Sequence, residues 1–222
     1  MSESEEERLE RLLSENIPGW NDPENVRKRE AKTAELERIS EARRKAEAPY
    51  VARLRGLGFD VESAWGLHPI RGVVDLTSAI DVLMEMVVDE SLDEVLRTGA
   101  ARALGTKAAH AVYDELVELL RGEGDSMVGE ALAGAIADLS VVDSDLPLLT
   151  ELIADTSLGF SRYALIERAA QLKPRDRAEA AVRLGLTGDD GVLHAEVSRI
   201  LRKRFGYTKA DVEQAHSAAQ TD

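Results

Sequence analysis

Cysteine is absent from the 222-residue chain. Its absence excludes disulfide bonds, thiolate metal sites and cysteine nucleophiles together. Histidine is scarce, and none of the four residues, His68, His110, His194 and His216, forms an H-E-x-x-H motif or a histidine pair four residues apart. No G-x-S-x-G or P-loop motif occurs, and no pair of carboxylates has a setting that suggests acid–base chemistry. We therefore expect no catalytic residue, no metal ligand and no cofactor.

Aromatic residues are also few, at 4% of the chain, and the apolar residues are mostly leucine, alanine, valine and isoleucine. This composition favours closely packed helices over a β-sandwich, which needs β-branched and aromatic faces. No apolar run reaches the roughly 18 residues that a transmembrane helix requires. The N-terminal residues are acidic and lack the basic-then-apolar form of a signal peptide. We expect a cytoplasmic protein, and the excess of arginine over lysine hints at a GC-rich bacterial source.

The net charge is −14, from 42 acidic and 28 basic residues. Such a field repels nucleic acid, whose binding normally depends on basic residues at phosphates, and attracts basic partners. We therefore expect no nucleic-acid partner and consider a basic protein partner. The C-terminal quarter contrasts with the rest because it carries a set of basic residues, Lys173, Arg175, Arg177, Arg199, Arg202, Lys203, Arg204 and Lys209. Some of them complement the negative end of a helix dipole, and the remainder could form one end of a bipolar surface.

Residues 78–139 show the 3.6-residue periodicity of two successive helical hairpins. The residues that we expect to face inward on the second helices of the first two hairpins are Leu96 and Leu132. We interpret Ser91 and Glu94 as a capping box that begins the second helix of the first hairpin. The chain therefore predicts helix, short turn and helix, repeated.

Two further hairpins follow from residue 145 to residue 206, with Leu165 and Leu193 facing inward. Matching the second helices sets four positions against each other at intervals of 32, 36 and 29 residues, namely Leu104, Ile136, Leu172 and Leu201. Repeats of this length are helical pairs that bury their apolar faces only against their neighbours.

The flanking segments differ from the repeats. Residues 1–48 are predicted to form a charged helical arm, with a short helix over residues 1–17, a break at Pro18 and Gly19, and a second helix that starts at Asp22 and Pro23. This arm is either solvated or wraps the body or a second copy as a homo-oligomer contact. Residues 49–74 are predicted to cap the stack, with a short helix starting at Pro49. Residues 207–222 are predicted to form a polar helix and tail.

The sequence AARALG at residues 100–105 resembles the A-x-x-A-L-G close of HEAT-like repeats, especially the short kind first recognised in phycobilisome lyases. Acidic turns at residues 89–91 and 155–157 lie where that family carries one. The resemblance covers about residues 75–206. It implies an all-α protein, an α-solenoid of about four HEAT-like helical hairpins with an N-terminal helical extension.

Fold alone does not decide function, since HEAT-like repeats serve adaptors, lyase subunits, inhibitors and DNA glycosylases. Our first hypothesis is a non-enzymatic protein-binding module that uses the exposed face of the second helices. A sharper version is an inhibitor or immunity-type protein that masks a basic toxin, and an alternative from another class is a lyase-like enzyme subunit that handles a bilin chromophore. The residues that we expect on the binding face are Thr98, Arg102, Glu130, Tyr163, Glu167, Arg199 and Arg202.

Overall fold

The computed structural model of the chain describes residues 12, 13, 17–67 and 75–219. These residues form helices and turns without a strand, so the all-α prediction is confirmed. The α-helices within these ranges are α1 (Pro23–Gly56), α2 (Ile80–Val88), α3 (Glu94–Ala103), α4 (Tyr113–Glu123), α5 (Met127–Leu139), α6 (Leu146–Ala154), α7 (Arg162–Ala169), α8 (Arg175–Leu184), α9 (Gly191–Ile200) and α10 (Lys209–Ala219). None of these helices combines the length and the apolar character needed to cross a membrane.

The chain divides into two units, Met1–Ala46 and Glu47–Asp222. No described residue of the first unit is buried. Arg29 donates to the carbonyl of Trp20 at 2.7 Å, and its guanidinium lies 3.8 Å from the centre of the indole ring. The carboxylate of Asp22 accepts a backbone N–H two residues later, which confirms the predicted helix start. The helix predicted over residues 1–17 falls mostly outside the described ranges.

The predicted helix start at Pro49 is wrong, because α1 continues through this proline to its end seven residues later. The missing N–H would have served the carbonyl of Lys45, and both residues are exposed, so no buried group is left without a partner. Beyond the boundary of the units, α1 is held by Glu47, which is 2% exposed. Its Oε1 accepts hydrogen bonds from the hydroxyl of Ser63 at 2.9 Å and the N–H of Ala64 at 2.6 Å.

The predicted capping box at the start of α3 is also wrong in its assignment. Asp93 is the cap, and its carboxylate accepts the N–H of Leu96 at 3.0 Å. The hydroxyl of Ser91 donates instead to Asp89 at 2.6 Å, because these two residues form a turn that ends α2. The carboxylate of Glu94 accepts the N–H at the start of α5 rather than one in its own helix.

The second unit is built from helix pairs in chain order: α2 with α3, α4 with α5, α6 with α7 and α8 with α9. The second helices also pack in series, α3 on α5, α5 on α7 and α7 on α9, while α6 packs on α8. The four residues predicted to face inward on these helices, Leu96, Leu132, Leu165 and Leu193, are all buried, which confirms that prediction. The second helices therefore share one apolar core.

Two arginines repeat the same hydrogen bond in different pairs. In the first turn of α3, Arg97 donates to the carbonyl of Val87 in the last turn of α2 at 2.7 Å. In the first turn of α7, Arg162 donates to the carbonyl of Ile153 in the last turn of α6 at 3.2 Å. Each arginine satisfies a carbonyl that the end of a helix leaves without an intrahelical partner. The first and third helix pairs thus share a polar contact at the same helix end.

The segment between α1 and α2 covers the outer side of α3. Three of its apolar residues, Val61, Ala64 and Leu67, are buried. The indole of Trp65 lies against Gly99, where a Cβ atom would come within 2.7 Å of the indole Nε1. Part of the predicted cap, residues 68–74, lies outside the described ranges. The capping role of residues 49–74 stays a prediction.

Candidate partner-binding surface

Six of the seven predicted binding residues lie open on the second helices or just beyond them. Five are exposed and Tyr163 is partly exposed; we call this set, Arg102, Glu130, Tyr163, Glu167, Arg199 and Arg202, the second-helix row.

The seventh residue, Thr98, does not belong to this surface, and its predicted outward orientation is wrong. It is 1% exposed, and its hydroxyl donates to the carbonyl of Glu94 in the preceding turn at 2.7 Å. The physical reason is that α3 packs against α2, against α5 and against the turn at residues 64–67, so little of its surface stays open, and Trp65 of that turn lies against the neighbouring Gly99.

The structure brings three members of the row together around one guanidinium. Arg199 on α9 donates to the phenol oxygen of Tyr163 at 3.0 Å and lies 3.5 Å from the carboxylate of Glu167, both on α7. It also pairs with Glu196 in its own helix at 2.7 Å. Because the guanidinium has a fixed fork of donors, these contacts join α7 to α9 at the surface.

Tyr163 is held on its other side by an aromatic neighbour. Its ring stacks on that of Phe160, with centroids 5.6 Å apart and planes tilted by 10°. Burial, followed by a hydrogen bond to Glu167, raises the pKa of the Tyr163 phenol above its ordinary value. The phenol therefore stays protonated at neutral pH. A fixed aromatic ring among charges of both signs is typical of protein contact surfaces.

The remaining members stand apart from this cluster. The guanidinium of Arg102 lies 5.0 Å from the ring centre of Trp65, which is a cation–π contact. The side chains of Glu130 and Arg202 form no hydrogen bond or ion pair with any other residue in the described ranges. These two side chains are free to meet a partner.

The predicted basic quarter is split into separate groups. Arg199, Arg202 and Lys203 line an open cavity of about 370 Å³ together with Tyr207, whose phenol donates to a glutamate on α8. Arg175 donates to the carbonyl of Arg204, in the helical turn that follows α9, at 3.0 Å. Of the remaining three, Lys173 and Arg177 line a different cavity, and Lys209 lies 3.7 Å from the carboxylate of Glu213 in its own helix.

Sequence reasoning missed two neighbours that shape the row, Phe160 and Glu196. Each lies three residues before a predicted member, so helical spacing would have indicated both. It also missed the contact of Trp65 with Arg102, for which the sequence carries no signal because the two residues belong to different segments.

Two histidines that are distant in sequence meet between α9 and α10. The ring centroids of His194 and His216 are 4.6 Å apart in an edge-to-face arrangement. His194 Nε2 is buried without a hydrogen-bond partner among the described residues. Burial, and then the neighbouring His216, hold the pKa of His194 below its ordinary value of 6.5, against a hydrogen bond to the backbone of Thr187. No group of three or more potential metal ligands occurs in the described ranges.

Acidification through about pH 6.5 should therefore lower the free energy of unfolding. The unfolded chain takes up a proton on this imidazole there, whereas the folded chain does so only at a lower pH. The difference between the free energies of unfolding in urea at about pH 7.5 and about pH 5.5 measures this loss of stability. His194→Phe should make this loss of stability smaller, because it removes the buried imidazole. An undiminished loss in His194→Phe would show that the buried imidazole is not responsible.

Comparisons of the chain with protein families, with curated proteins and with solved structures found no match.

Proposed function

We propose that the chain is a small HEAT-like α-solenoid that binds a protein partner through the second-helix row. The serial packing of the second helices supports the solenoid, since each pair buries its apolar face against the next pair. The observation that carries the binding role is the cluster at Tyr163. An aromatic ring fixed by Arg199 and Phe160 loses little conformational entropy when a partner covers it.

The charges of the chain indicate the surface charge that we expect of the partner. The net charge of −14 attracts basic proteins at long range. Within the row, Arg102 on α3 lies against Trp65, Glu130 and Glu167 are acidic on α5 and α7, and Arg199 and Arg202 are basic at the α9 end. A partner with a basic overall surface and one acidic patch at the α9 end fits both features. Electrostatic matching of this kind sets the approach and the register of a complex more than its affinity.

Capture of partners from the native lysate tests this function. Tyr163→Ala should weaken the binding free energy of the captured partner by about 2 kcal/mol, the size expected for a central aromatic anchor. The partner should therefore be lost from the captured fraction. Arg199→Glu should weaken binding as well, because it reverses the charge that holds the ring. Lys107→Glu supplies the matched control: the same charge change at an exposed residue between α3 and α4, outside the row.

Circular dichroism and urea unfolding of each variant confirm that the fold is retained. Loss of the same captured protein in both row variants, and its retention in Lys107→Glu, supports the proposal. If all three variants capture the same proteins as the parent chain, the second-helix row is not the binding surface.

A further inference from the structure

A second site lies between two of the first helices. An open groove of about 510 Å³ is formed by residues at the start of α6 and the start of α8, and we call it the α6–α8 groove. Its volume is in the range of small-molecule sites in proteins. None of the second-helix row residues lines it.

The floor and walls of the groove are mostly apolar. They include Leu146, which is 3% exposed, and the rings of Pro147 and Pro174. The two sides are tied together by a hydrogen bond from the backbone N–H of Lys173 to the carboxylate of Asp143 at 2.8 Å. The ring of each proline fixes its backbone φ angle, and the hydrogen bond joins the two segments. The backbone on both sides of the groove is therefore restrained.

Three charged residues line the groove, and they leave an excess of one positive charge. Lys173 and Arg177 are cationic, and Asp143 is anionic. In the described part of the chain, neither the ammonium of Lys173 nor the guanidinium of Arg177 forms a hydrogen bond or an ion pair. Their charges are available to a ligand.

We infer that the α6–α8 groove binds a small amphipathic monocarboxylate, an acid whose carboxylate meets Arg177 and Lys173 and whose aliphatic or aromatic body covers the apolar floor. Guanidinium and carboxylate groups match in shape through paired hydrogen bonds. A single negative charge neutralises the excess charge of the groove, whereas a phosphate dianion would leave an uncompensated charge beside Asp143. The apolar floor requires a body that water hydrates poorly.

The experiment titrates the full-length protein with sodium octanoate while backbone amide resonances are followed by NMR. Octanoate should shift the resonances of residues 143–150 and 173–180. Acetate, which has the same carboxylate without the apolar body, should bind more weakly, and so should octyl phosphate, which carries the second charge. Binding of acetate as tight as that of octanoate, or tighter binding of octyl phosphate, would overturn the assignment.

Variants separate the groove from nonspecific adsorption. Arg177→Gln should weaken octanoate binding about three- to tenfold, the range between an exposed ion pair and a charge-assisted hydrogen bond. Arg183→Gln is the matched control, because Arg183 is exposed on the same helix but outside this groove. Ala180→Phe, which fills the groove, should abolish the shifts. Equal affinity of Arg177→Gln and Arg183→Gln, or unchanged shifts in Ala180→Phe, would contradict the inference.

Discussion

Gly129→Ala should destabilise the protein by about 3 kcal/mol. A Cβ atom at this position of α5 would lie 2.1 Å from the carbonyl oxygen of Gly124 and 3.1 Å from the hydroxyl of Ser161. The first contact is with backbone, so α5 or the turn before it must move. The same carbonyl accepts a hydrogen bond from Ser161, so the movement would also strain the contact between the second and third helix pairs.

A second glycine in the same helix supplies the control. A Cβ atom at Gly134 has nothing within 4 Å, and alanine is the better helix former. Gly134→Ala should therefore stabilise the protein by up to about 1 kcal/mol. Urea unfolding of both variants gives the two free energies. If Gly129→Ala is as stable as Gly134→Ala, the close approach of α5 to the Gly124 turn is not part of the native packing.

Arg162→Ala should cost about 3 kcal/mol of stability as well. Arg162 is 1% exposed, and its guanidinium donates to the carbonyls of Gly159 at 3.1 Å, Ile153 at 3.2 Å and Thr187 at 3.1 Å. These carbonyls belong to three segments: the turn before α7, the end of α6 and the turn before α9. Truncation leaves buried acceptors without donors and opens a cavity at the same time.

The control for this variant is Arg202, which is exposed beyond α9. Arg202→Ala removes an exposed guanidinium with no partner among the described residues, and stability should change by about 0.5 kcal/mol or less. Thermal and urea unfolding of both variants measure the difference. A loss below about 1 kcal/mol in Arg162→Ala would show that Arg162 does not hold the third and fourth pairs together.

Helical periodicity was sufficient to predict where the core lies. Leu96, Leu132, Leu165 and Leu193 are buried because residues that recur on one face of a helix must meet a neighbouring helix. The errors concern residues whose predicted local role is overridden by another contact. Pro49 continues α1 because its neighbours on that helix are anchored by another segment. The start of α3 shifted from Ser91 to Asp93 because the serine serves the preceding turn.

The candidate surface was predictable only in part. Exposure of the row follows from the side of each helix that the core leaves open, and most members were found this way. Thr98 was misplaced because α3 is packed by α2, by α5 and by the turn that carries Trp65, and no spacing rule connects that turn with α3. The meeting of His194 with His216 could not be predicted either, since it depends on where α10 packs.

The central claim is that α3, α5, α7 and α9 form a linear series rather than a closed bundle. Because the chain has no cysteine of its own, two cysteines can be introduced at chosen positions and spin-labelled without background labelling. Each helix of the series has one exposed labelling site: Arg102 on α3, Glu130 on α5, Glu167 on α7 and Arg199 on α9. Pulsed electron paramagnetic resonance should find that the distance from a label at position 102 increases in the order 130, 167 and 199. A distance from 102 to 199 no longer than that from 102 to 130 would contradict the series and the binding surface built on it.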